Sequence, residues 1–447
     1  MTARVRWHAR WVVPVATPPI ADGTVITEGE HIVWIGERRQ APLGGRDEDL
    51  GDAILTPGLV NAHTHLDLTV LRGFLSDLPF FDWVRTLTRA IATLDDGDLL
   101  ASASLGIAEG LLGGVTTFAD TAPNTAAFDA MRALRVRGVC YREVFGPDSK
   151  DASKHLATLA DQVAAMRRQE TELVRVGVSP HAPYSVSDAL YAAVAEFARR
   201  ERLPVAVHIA EGADESRLVA QGDGDFAGFL QGRGIATPAR GSEPLEVIER
   251  AGLLQRDTLL IHAVRVSAPA IVRIANAGCG VAHCPASNAK LGHGIAPLLA
   301  LLRAGVQVGL GTDSMASNDR MDLLEEARLA VLAQRAASGG HDAVSAQQAF
   351  RLATLGAAEA LGLDEAIGSL EVGKQADIAA FALPQGPREN VYDALIFGPR
   401  PRTLQAVVAG RERMRNGIVH DFDLANAARV EDAARRLQRW RESQTKV

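Results

Sequence analysis

The chain has 447 residues, of which 47% are hydrophobic and 23% are charged, and its formal net charge is −7. This composition is typical of a soluble globular protein. An acidic balance without a Lys/Arg-rich block argues against nucleic acid as the main partner. No apolar run approaches the roughly 20 residues of a membrane span, and the N-terminus lacks the layout of a signal peptide. Three widely spaced cysteines do not suggest a disulfide framework, so we expect a cytoplasmic protein that binds neither nucleic acid nor membrane.

The N-terminal region is predicted to be a small β-structure. Residues 24–27 and 31–35 are short strand-like runs separated by turn residues. Near the other end of the chain, residues 377–382 and 404–408 are again short strands without long helices between them. We therefore expect residues 1–53 and 365–423 to form one small β-sandwich domain built from both termini. The charged segment 424–447 is predicted to be a C-terminal helix.

Residues 54–364 alternate short apolar strands with Ala/Leu-rich helical segments, the pattern of a parallel α/β fold. Helices are predicted at 99–112, 126–135, 154–170, 187–200, 269–277 and 298–304. Strands are predicted at 54–65, 115–120, 138–145, 174–180, 205–210, 258–264, 280–285 and 306–313. Eight strands alternating with helices predict a (β/α)₈ TIM barrel.

The first barrel strand ends in a His-x-His motif. Side chains alternate along a strand, so His63 and His65 share one face while Thr64 points away. Two neutral imidazoles on one face are half of a zinc-type site. The pair alone is equally consistent with two histidines that cap a strand without metal, so further ligands are needed.

Other strand ends carry ligand-type residues as well. Six of the twelve histidines lie at or near predicted strand ends, and in a TIM barrel the chemistry is located at the carboxyl ends of the strands. For any single histidine a hydrogen-bonded core position is a fair alternative, whereas the whole set predicts a metal site. Beyond the first strand the ligand-type residues are His181, His208, Glu211, His262, His283 and Asp313.

Several longer motifs follow the same order along the chain. They are PGLVNAHTH at 57–65, HIAE at 208–211, HCPASNAKL at 283–291, GTDS at 311–314 and GSLEVGKQAD at 368–377. With these motifs the chain resembles the amidohydrolase superfamily, specifically the mononuclear branch that contains cytosine-deaminase-like and adenosylhomocysteine-deaminase-like enzymes. The resemblance implies a (β/α)₈ barrel with a small β-sandwich from both termini.

The resemblance also implies roles for individual residues. Glu211 resembles the proton shuttle, and His262 resembles the group that contacts the water on the metal. Dinuclear relatives bridge two metals with a lysine at the end of the fourth strand, but residues 174–180 contain none, so one divalent ion is expected, Zn²⁺ or alternatively Fe²⁺. The implied metal ligands are His63, His65, His208 and Asp313.

Three imidazoles and one carboxylate leave a position open for water, which distinguishes a catalytic site from a closed structural one. A bound metal lowers the pKa of that water toward about 7. Asp313 could accept a proton from the water, and Glu211 could donate one to a ring nitrogen. We therefore predict hydrolytic deamination of an aminated ring with release of ammonia. The alternative role for Glu211 is to hold a histidine ligand in place.

Four residues are candidates for substrate binding: Arg72, Trp83, Arg142 and His181. Trp83 could stack on a ring, or it could anchor a loop helix to the barrel. His181 lies in a segment that resembles a substrate-contacting segment of the family. Arg142 could bind an anionic group or form a salt bridge, and the sequence leaves open which arginine would do so, Arg72, Arg85, Arg89 or Arg142.

The substrate is less determined than the chemistry. Methylthioadenosine/adenosylhomocysteine deaminases usually carry a ribose-binding Glu nine positions after the Trp of this loop, where this chain has Ala92. Residues 65–69 and 79–83 look more like aminodeoxyfutalosine deaminases, so 6-amino-6-deoxyfutalosine is the leading small-molecule substrate. The alternative substrates are S-adenosylhomocysteine, methylthioadenosine or adenosine, another ring amine, or a chloro-substituted ring. A remote alternative is that the protein is not an enzyme but a metal-free scaffold. A homodimer is the common default for such a protein.

Overall fold

The N-terminal residues form the first part of a mixed sheet. The computed structural model describes residues 4–383 and 390–444. The first strand is antiparallel to the second and parallel to the fourth and fifth. These five strands are β1 (Arg4–Val12), β2 (Ile20–Glu28), β3 (His31–Glu37), β4 (Arg46–Asp49) and β5 (Ala53–Pro57).

The chain passes from this sheet into the barrel at Gly58. A Cβ atom on Gly58 would lie 2.0 Å from Thr116 Oγ1, so only glycine fits at this crossing. The prediction of a single strand at 54–65 is therefore wrong, because β5 belongs to the terminal sheet and β6 (Leu59–His65) to the barrel. Both strands are buried, so the apolar pattern continues through the change of sheet and does not reveal it.

The predicted TIM barrel is confirmed. Neighbouring strands pair in parallel, and the eighth position is split into two short segments, one of which pairs with β12 and the other with β6. Because Asp313 pairs with Thr64, the ring of strands is closed. The barrel strands after β6 are β7 (Val115–Ala122), β8 (Arg137–Val144), β9 (Val174–Pro180), β10 (Val205–Ile209), β11 (Thr258–His262), β12 (Gly280–His283), β13 (Gln307–Leu310) and β14 (Asp313–Ser314).

Helices surround the barrel, and the six predicted ones lie within a few residues of their predicted bounds. Side-chain caps fix several N-termini, because Ser187 and Ser267 accept backbone N–H groups of the first turn. The helices are α1 (Phe80–Ile91), α2 (Asp96–Leu112), α3 (Ala126–Leu134), α4 (Ala152–Arg167), α5 (Asp188–Glu201), α6 (Ala213–Gln221), α7 (Asp225–Gln231), α8 (Leu245–Arg250), α9 (Ala268–Ala277), α10 (Pro285–Lys290), α11 (Leu298–Arg303), α12 (Met315–Asn318), α13 (Leu323–Ser338), α14 (Ala346–Leu352) and α15 (Leu355–Ala360).

The C-terminal part completes the mixed sheet. Its elements are β15 (Ile378–Ala382), α16 (Val391–Ile396), β16 (Thr403–Val408), β17 (Arg411–Arg415), β18 (Ile418–Val419) and α17 (Leu424–Gln444). Since β15 pairs with β5, both termini form one nine-stranded sheet, which confirms the predicted β-structure from both ends. Residues 1–3, 384–389 and 445–447 of the predicted terminal segments lie outside the described residues. In the described ranges, every helix is too short or too polar to cross a membrane.

Candidate active site

Four of the predicted ligands meet at the carboxyl ends of the barrel strands. His63 and His65 come from β6 and His208 from β10, and one ring nitrogen of each lies within 4.8 Å of the others. Asp313 Oδ1 lies 3.3 Å from His63 Nε2 and 3.6 Å from His65 Nε2. The structure thus brings together three imidazoles and one carboxylate from strands that are far apart in the sequence.

The chemistry of these residues fits a divalent metal. Both ring nitrogens of His63 and the Nδ1 atom of His208 are buried and have no hydrogen-bond partner in the described part of the chain. Burial lowers the pKa of His63, His65 and His208, so their lone pairs are available at neutral pH. A buried polar atom without a partner costs free energy, which a bound ion would recover. Three nitrogens and a carboxylate oxygen are donors that zinc and other divalent transition metals accept.

Asp313 is held in a fixed orientation. Its Oδ2 atom accepts hydrogen bonds from Ser287 Oγ at 2.5 Å and from Ser317 Oγ at 3.0 Å, and its Oδ1 atom accepts one from Ser314 N at 2.7 Å. Burial raises the pKa of Asp313, but the contact with His63 and the other nearby imidazoles outweigh burial and hold the pKa well below its ordinary value. The side chain is therefore an anion, as a metal ligand requires.

Glu211 follows β10 and is positioned by a second glutamate that the sequence analysis did not single out. The backbone N–H groups of Ala210 and Glu211 donate to Glu215 Oε1 and Oε2 at 2.9 and 2.8 Å. Glu211 Oε1 then lies 3.2 Å from His293 Nε2 and 3.6 Å from His262 Nε2. Burial raises the pKa of Glu211, but these two imidazoles lower it below its ordinary value. Glu211 is thus a buried anion beside the candidate ligands.

His262 ends β11 in a left-handed conformation, with φ of +72°. Its Nδ1 atom lies 3.0 Å from Asn288 Oδ1, which fixes the ring and assigns a proton to Nδ1. The Nε2 atom lies 3.9 Å from Asp313 Oδ2 and, like the nitrogens of His63, has no hydrogen-bond partner among the described residues. His262 therefore presents a free acceptor atom between Glu211 and Asp313. Asn288 lies in the motif at 283–291, but the motif alone did not predict this contact.

A cavity of about 340 Å³ opens beside these residues. Its walls are largely aromatic and aliphatic, and α1 forms one of them. A helix at this position was expected only under the alternative in which Trp83 anchors a loop helix to the barrel. Such a cavity suits a flat ring more than an extended polar chain. The apolar lining residues are Leu68, Phe80, Trp83, Val84, Leu87, Ile91, Pro123, Phe145, Tyr184 and Leu291.

Two of the four residues expected to bind substrate line this cavity. Trp83 does so from α1, and His181 does so with its Nδ1 atom 2.7 Å from Ser185 Oγ. Arg72 and Arg142 do not reach the cavity. Arg72 forms an ion pair with Glu109, and Arg142 donates from Nε to Gln162 Oε1 at 3.0 Å.

The other two arginines considered for an anionic group also lie elsewhere. Arg85 lies over the ring of Phe81, and Arg89 over the ring of Trp440. Within residues 4–383 and 390–444, no lysine or arginine lines the cavity.

The carboxylates that line the cavity are Glu211, Asp313 and two that were not predicted from the sequence, Asp67 and Glu143. Glu143 is next to Arg142 on β8, and side-chain alternation points it into the barrel mouth while Arg142 points toward α4.

Comparison with known proteins agrees with this geometry. Histidine and carboxylate donors at the mouth of a TIM barrel define the class of metal-dependent barrel hydrolases. Residues 54–413 match the Amidohydrolase family, and the chain belongs to that family. It is 34% identical over 439 residues to the 5-methylthioadenosine/S-adenosylhomocysteine deaminase of Desulforudis audaxviator (strain MP104C), covering 96% of this chain and 97% of that protein.

Solved structures share the whole architecture. An adenosine deaminase from Xanthomonas campestris with bound zinc has a TM-score of 0.84 and 29% identity, covering 98% of this chain and 99% of the other. An atrazine chlorohydrolase from Arthrobacter aurescens TC1 complexed with zinc has a TM-score of 0.80 and 26% identity, covering 96% and 100%. The aminofutalosine deaminase of Helicobacter pylori has a TM-score of 0.81 and 21% identity, covering 92% and 100%, and this likeness shows the fold alone.

Proposed function

We propose that the protein is a metal-dependent deaminase that hydrolyses the ring amino group of an adenine nucleoside. The observation that carries the proposal is the position of Glu211, a buried carboxylate beside four metal-type donors at the end of an apolar, aromatic cavity. The deaminase names of the relative from Desulforudis audaxviator and of the neighbour from Xanthomonas campestris support the reaction class.

His63, His65, His208 and Asp313 would hold one divalent ion, and the bound zinc of two structural neighbours supports zinc as that ion. When bound, such an ion supplies Lewis acidity and a hydroxide nucleophile near neutral pH. The ligands contribute by fixing the donor geometry. Asp313 is oriented by two serine hydroxyls and one backbone N–H, so it cannot swing away from the imidazoles.

Glu211 would move the protons of the reaction. As an anion it accepts a proton from the attacking water, delivers it to a nitrogen of the purine ring, and so makes the adjacent carbon electrophilic. The remaining proton of the added hydroxyl then passes to the amino group, the C–N bond breaks, and ammonia leaves as the ring carbonyl forms. His262 accepts a hydrogen bond at Nε2 from the attacking water and orients it, and the aromatic walls exclude bulk water from the reacting carbon.

The charge of the cavity bears on which nucleoside is used. Because the described cavity lining contains no lysine or arginine, it favours a nucleoside without a negative group, such as adenosine or 5-methylthioadenosine. The second candidate is 6-amino-6-deoxyfutalosine, favoured by the motifs at 65–69 and 79–83. Its aryl carboxylate would meet the carboxylates of the cavity rather than a cation, so we place it behind the uncharged nucleosides.

A substrate panel tests this proposal. Purified protein is assayed for ammonia release and change in ultraviolet absorbance with adenosine, 5-methylthioadenosine, S-adenosylhomocysteine, 6-amino-6-deoxyfutalosine, guanine and cytosine. We expect the highest kcat/KM for adenosine or 5-methylthioadenosine. Metal analysis is expected to find one zinc per chain, and chelation should abolish turnover that added zinc restores. Metal-loaded protein that deaminates none of the adenine nucleosides would overturn the proposal.

A further inference from the structure

We propose that Asp67 and Glu143 form an acidic subsite that binds the ribose hydroxyls of the nucleoside. This inference rests on the proposed function and adds to it the groups that recognise the sugar. Neither residue was singled out by the motifs, and neither belongs to the candidate ligands or to the Glu211–His262 pair.

The two carboxylates reach one cavity from separate elements. Asp67 lies in the 3-10 turn Leu66–Leu71 directly after β6, and Glu143 lies near the carboxyl end of β8. Only 2% of Asp67 and 6% of Glu143 is exposed, and both line the cavity. A carboxylate oxygen of Glu143 lies within 4.8 Å of ring nitrogens of His181 and His208. The subsite is therefore beside the candidate metal centre, within reach of the sugar of a bound nucleoside.

Each carboxylate has a buried oxygen that nothing in the described chain satisfies. Asn124 Nδ2 donates to Asp67 Oδ2 at 2.6 Å, but Asp67 Oδ1 and Glu143 Oε1 have no hydrogen-bond partner within residues 4–383 and 390–444. Leaving such an acceptor unpaired costs about 1–3 kcal/mol. Two unpaired acceptors in the lining of one cavity are explained by a ligand that brings two donors.

The neighbouring cations do not supply those donors. Arg142, next to Glu143 in sequence, is directed to Gln162 on α4. Of the hydroxyls that line the described cavity, Thr88 Oγ1 donates to Val84 O at 2.9 Å and Ser314 Oγ lies 3.1 Å from Ser317 Oγ, so these two groups are engaged elsewhere. Two adjacent hydroxyls of a ribose provide two O–H donors at close spacing. The subsite thus accepts the sugar while the aromatic walls hold the base.

Selectivity between ribose and deoxyribose nucleosides tests the subsite. We would measure kcat/KM for adenosine, 2′-deoxyadenosine and 3′-deoxyadenosine in the wild type, in Asp67→Leu and Glu143→Met, and in the shape-conserving variants Asp67→Asn and Glu143→Gln. Glu109→Gln is the matched control, because its carboxylate pairs with Arg72 outside the cavity. Melting temperature and metal content are measured for every protein.

The wild type is expected to prefer adenosine to each deoxynucleoside on the order of 2- to 100-fold, the range from a neutral to a charge-assisted hydrogen bond. In Asp67→Leu and Glu143→Met this ratio should approach one, in the amide variants it should fall partway, and in Glu109→Gln it should stay unchanged. If Leu or Met at either position prevents folding, the amide variants alone decide.

Three outcomes would contradict the proposal. Ratios that match the wild type in every folded variant would overturn the subsite and leave the deaminase assignment intact. Variants that instead lose selectivity for 5′-amino-5′-deoxyadenosine, with unchanged ribose selectivity, would show that the pair binds an ammonium group. A metal-loaded wild type that deaminates none of these nucleosides would overturn the proposed function and the subsite with it.

Discussion

Glu211 lies between the imidazoles of His262 and His293. The carboxylate of Glu215 accepts hydrogen bonds from the backbone N–H groups of Ala210 and Glu211. Two backbone hydrogen bonds to one buried carboxylate fix the chain where it leaves β10. The side chain of Glu211 therefore has little freedom, and His262 and His293 keep it ionised despite burial. A carboxylate in this environment is an anion at neutral pH and can accept a proton, as the proposed mechanism requires.

We expect Glu211→Gln to fold and to keep its metal but to lose nearly all turnover. An amide of the same shape retains packing but cannot take up and release the proton, a contribution of about 10²- to 10⁴-fold. The test compares kcat, metal content and melting temperature with those of the wild type and of Glu109→Gln, whose carboxylate lies outside the cavity. Turnover equal to the wild type in the metal-loaded variant would remove Glu211 from the mechanism.

At the scale of elements, periodicity located the barrel strands because apolar runs bounded by helices are a strong local signal. It could not distinguish β5 from β6, since both are buried and the crossing is set by the close approach of Thr116 to the Gly58 backbone. Candidate ligands were predictable because each lies near the carboxyl end of a predicted strand, within a motif that resembles those of the family. Glu215 and His293 were not, because they act through contacts across loops, and Arg72 was misleading because its partner Glu109 lies on the distant α2.

The C-terminal helix α17 is attached to α2 by ion pairs that centre on Asp98. This carboxylate is 1% exposed and contacts Arg429 at 2.9 Å and also Arg436. Burial raises the pKa of Asp98, but Arg436, the Asp95 backbone N–H and Arg429 outweigh it and lower the pKa below its ordinary value. A lowered folded-state pKa means that this stabilisation is present above the unfolded value of about 3.9 and is lost as the pH falls through the lower folded value.

We expect Asp98→Asn to weaken the attachment of α17 by about 1.5–3 kcal/mol at neutral pH, because two charge-assisted contacts become ordinary hydrogen bonds or are lost. Hydrogen exchange of residues 424–444 from pH 3 to pH 7 measures the effect. In the wild type, protection should fall only below about pH 4, and the variant should lack most of this acid-dependent step. Asp432→Asn is the control, since its exposed pair with Arg436 should contribute no more than about 0.5 kcal/mol. Equal protection in Asp98→Asn and the wild type would contradict this account.

For the whole molecule, one buried ion pair joins the barrel to the terminal sheet. Asp377 accepts from Arg137 Nε at 2.7 Å and from Ala409 N at 2.7 Å, and its backbone carbonyl accepts from Gly58 N at 2.9 Å. One residue thus contacts the start of β8, the turn between β16 and β17, and the crossing from β5 to β6. Asp377 is the last residue of the motif at 368–377, and the sequence of that motif does not predict these contacts.

Because Arg137 and Asp377 are both buried, removal of one charge leaves the other buried without a partner. We expect Asp377→Asn to lower the free energy of unfolding by about 3–5 kcal/mol, whereas the apolar double variant Arg137→Met/Asp377→Leu should recover most of that loss. Chemical denaturation of the metal-loaded proteins measures both values. The kcat of the folded fraction should remain that of the wild type, since Arg137 lies at the amino end of β8 and the proposed catalytic residues lie at the carboxyl ends of the strands. A double variant no more stable than Asp377→Asn would show that this junction depends on the ionic contact itself rather than on the avoidance of an unpaired charge.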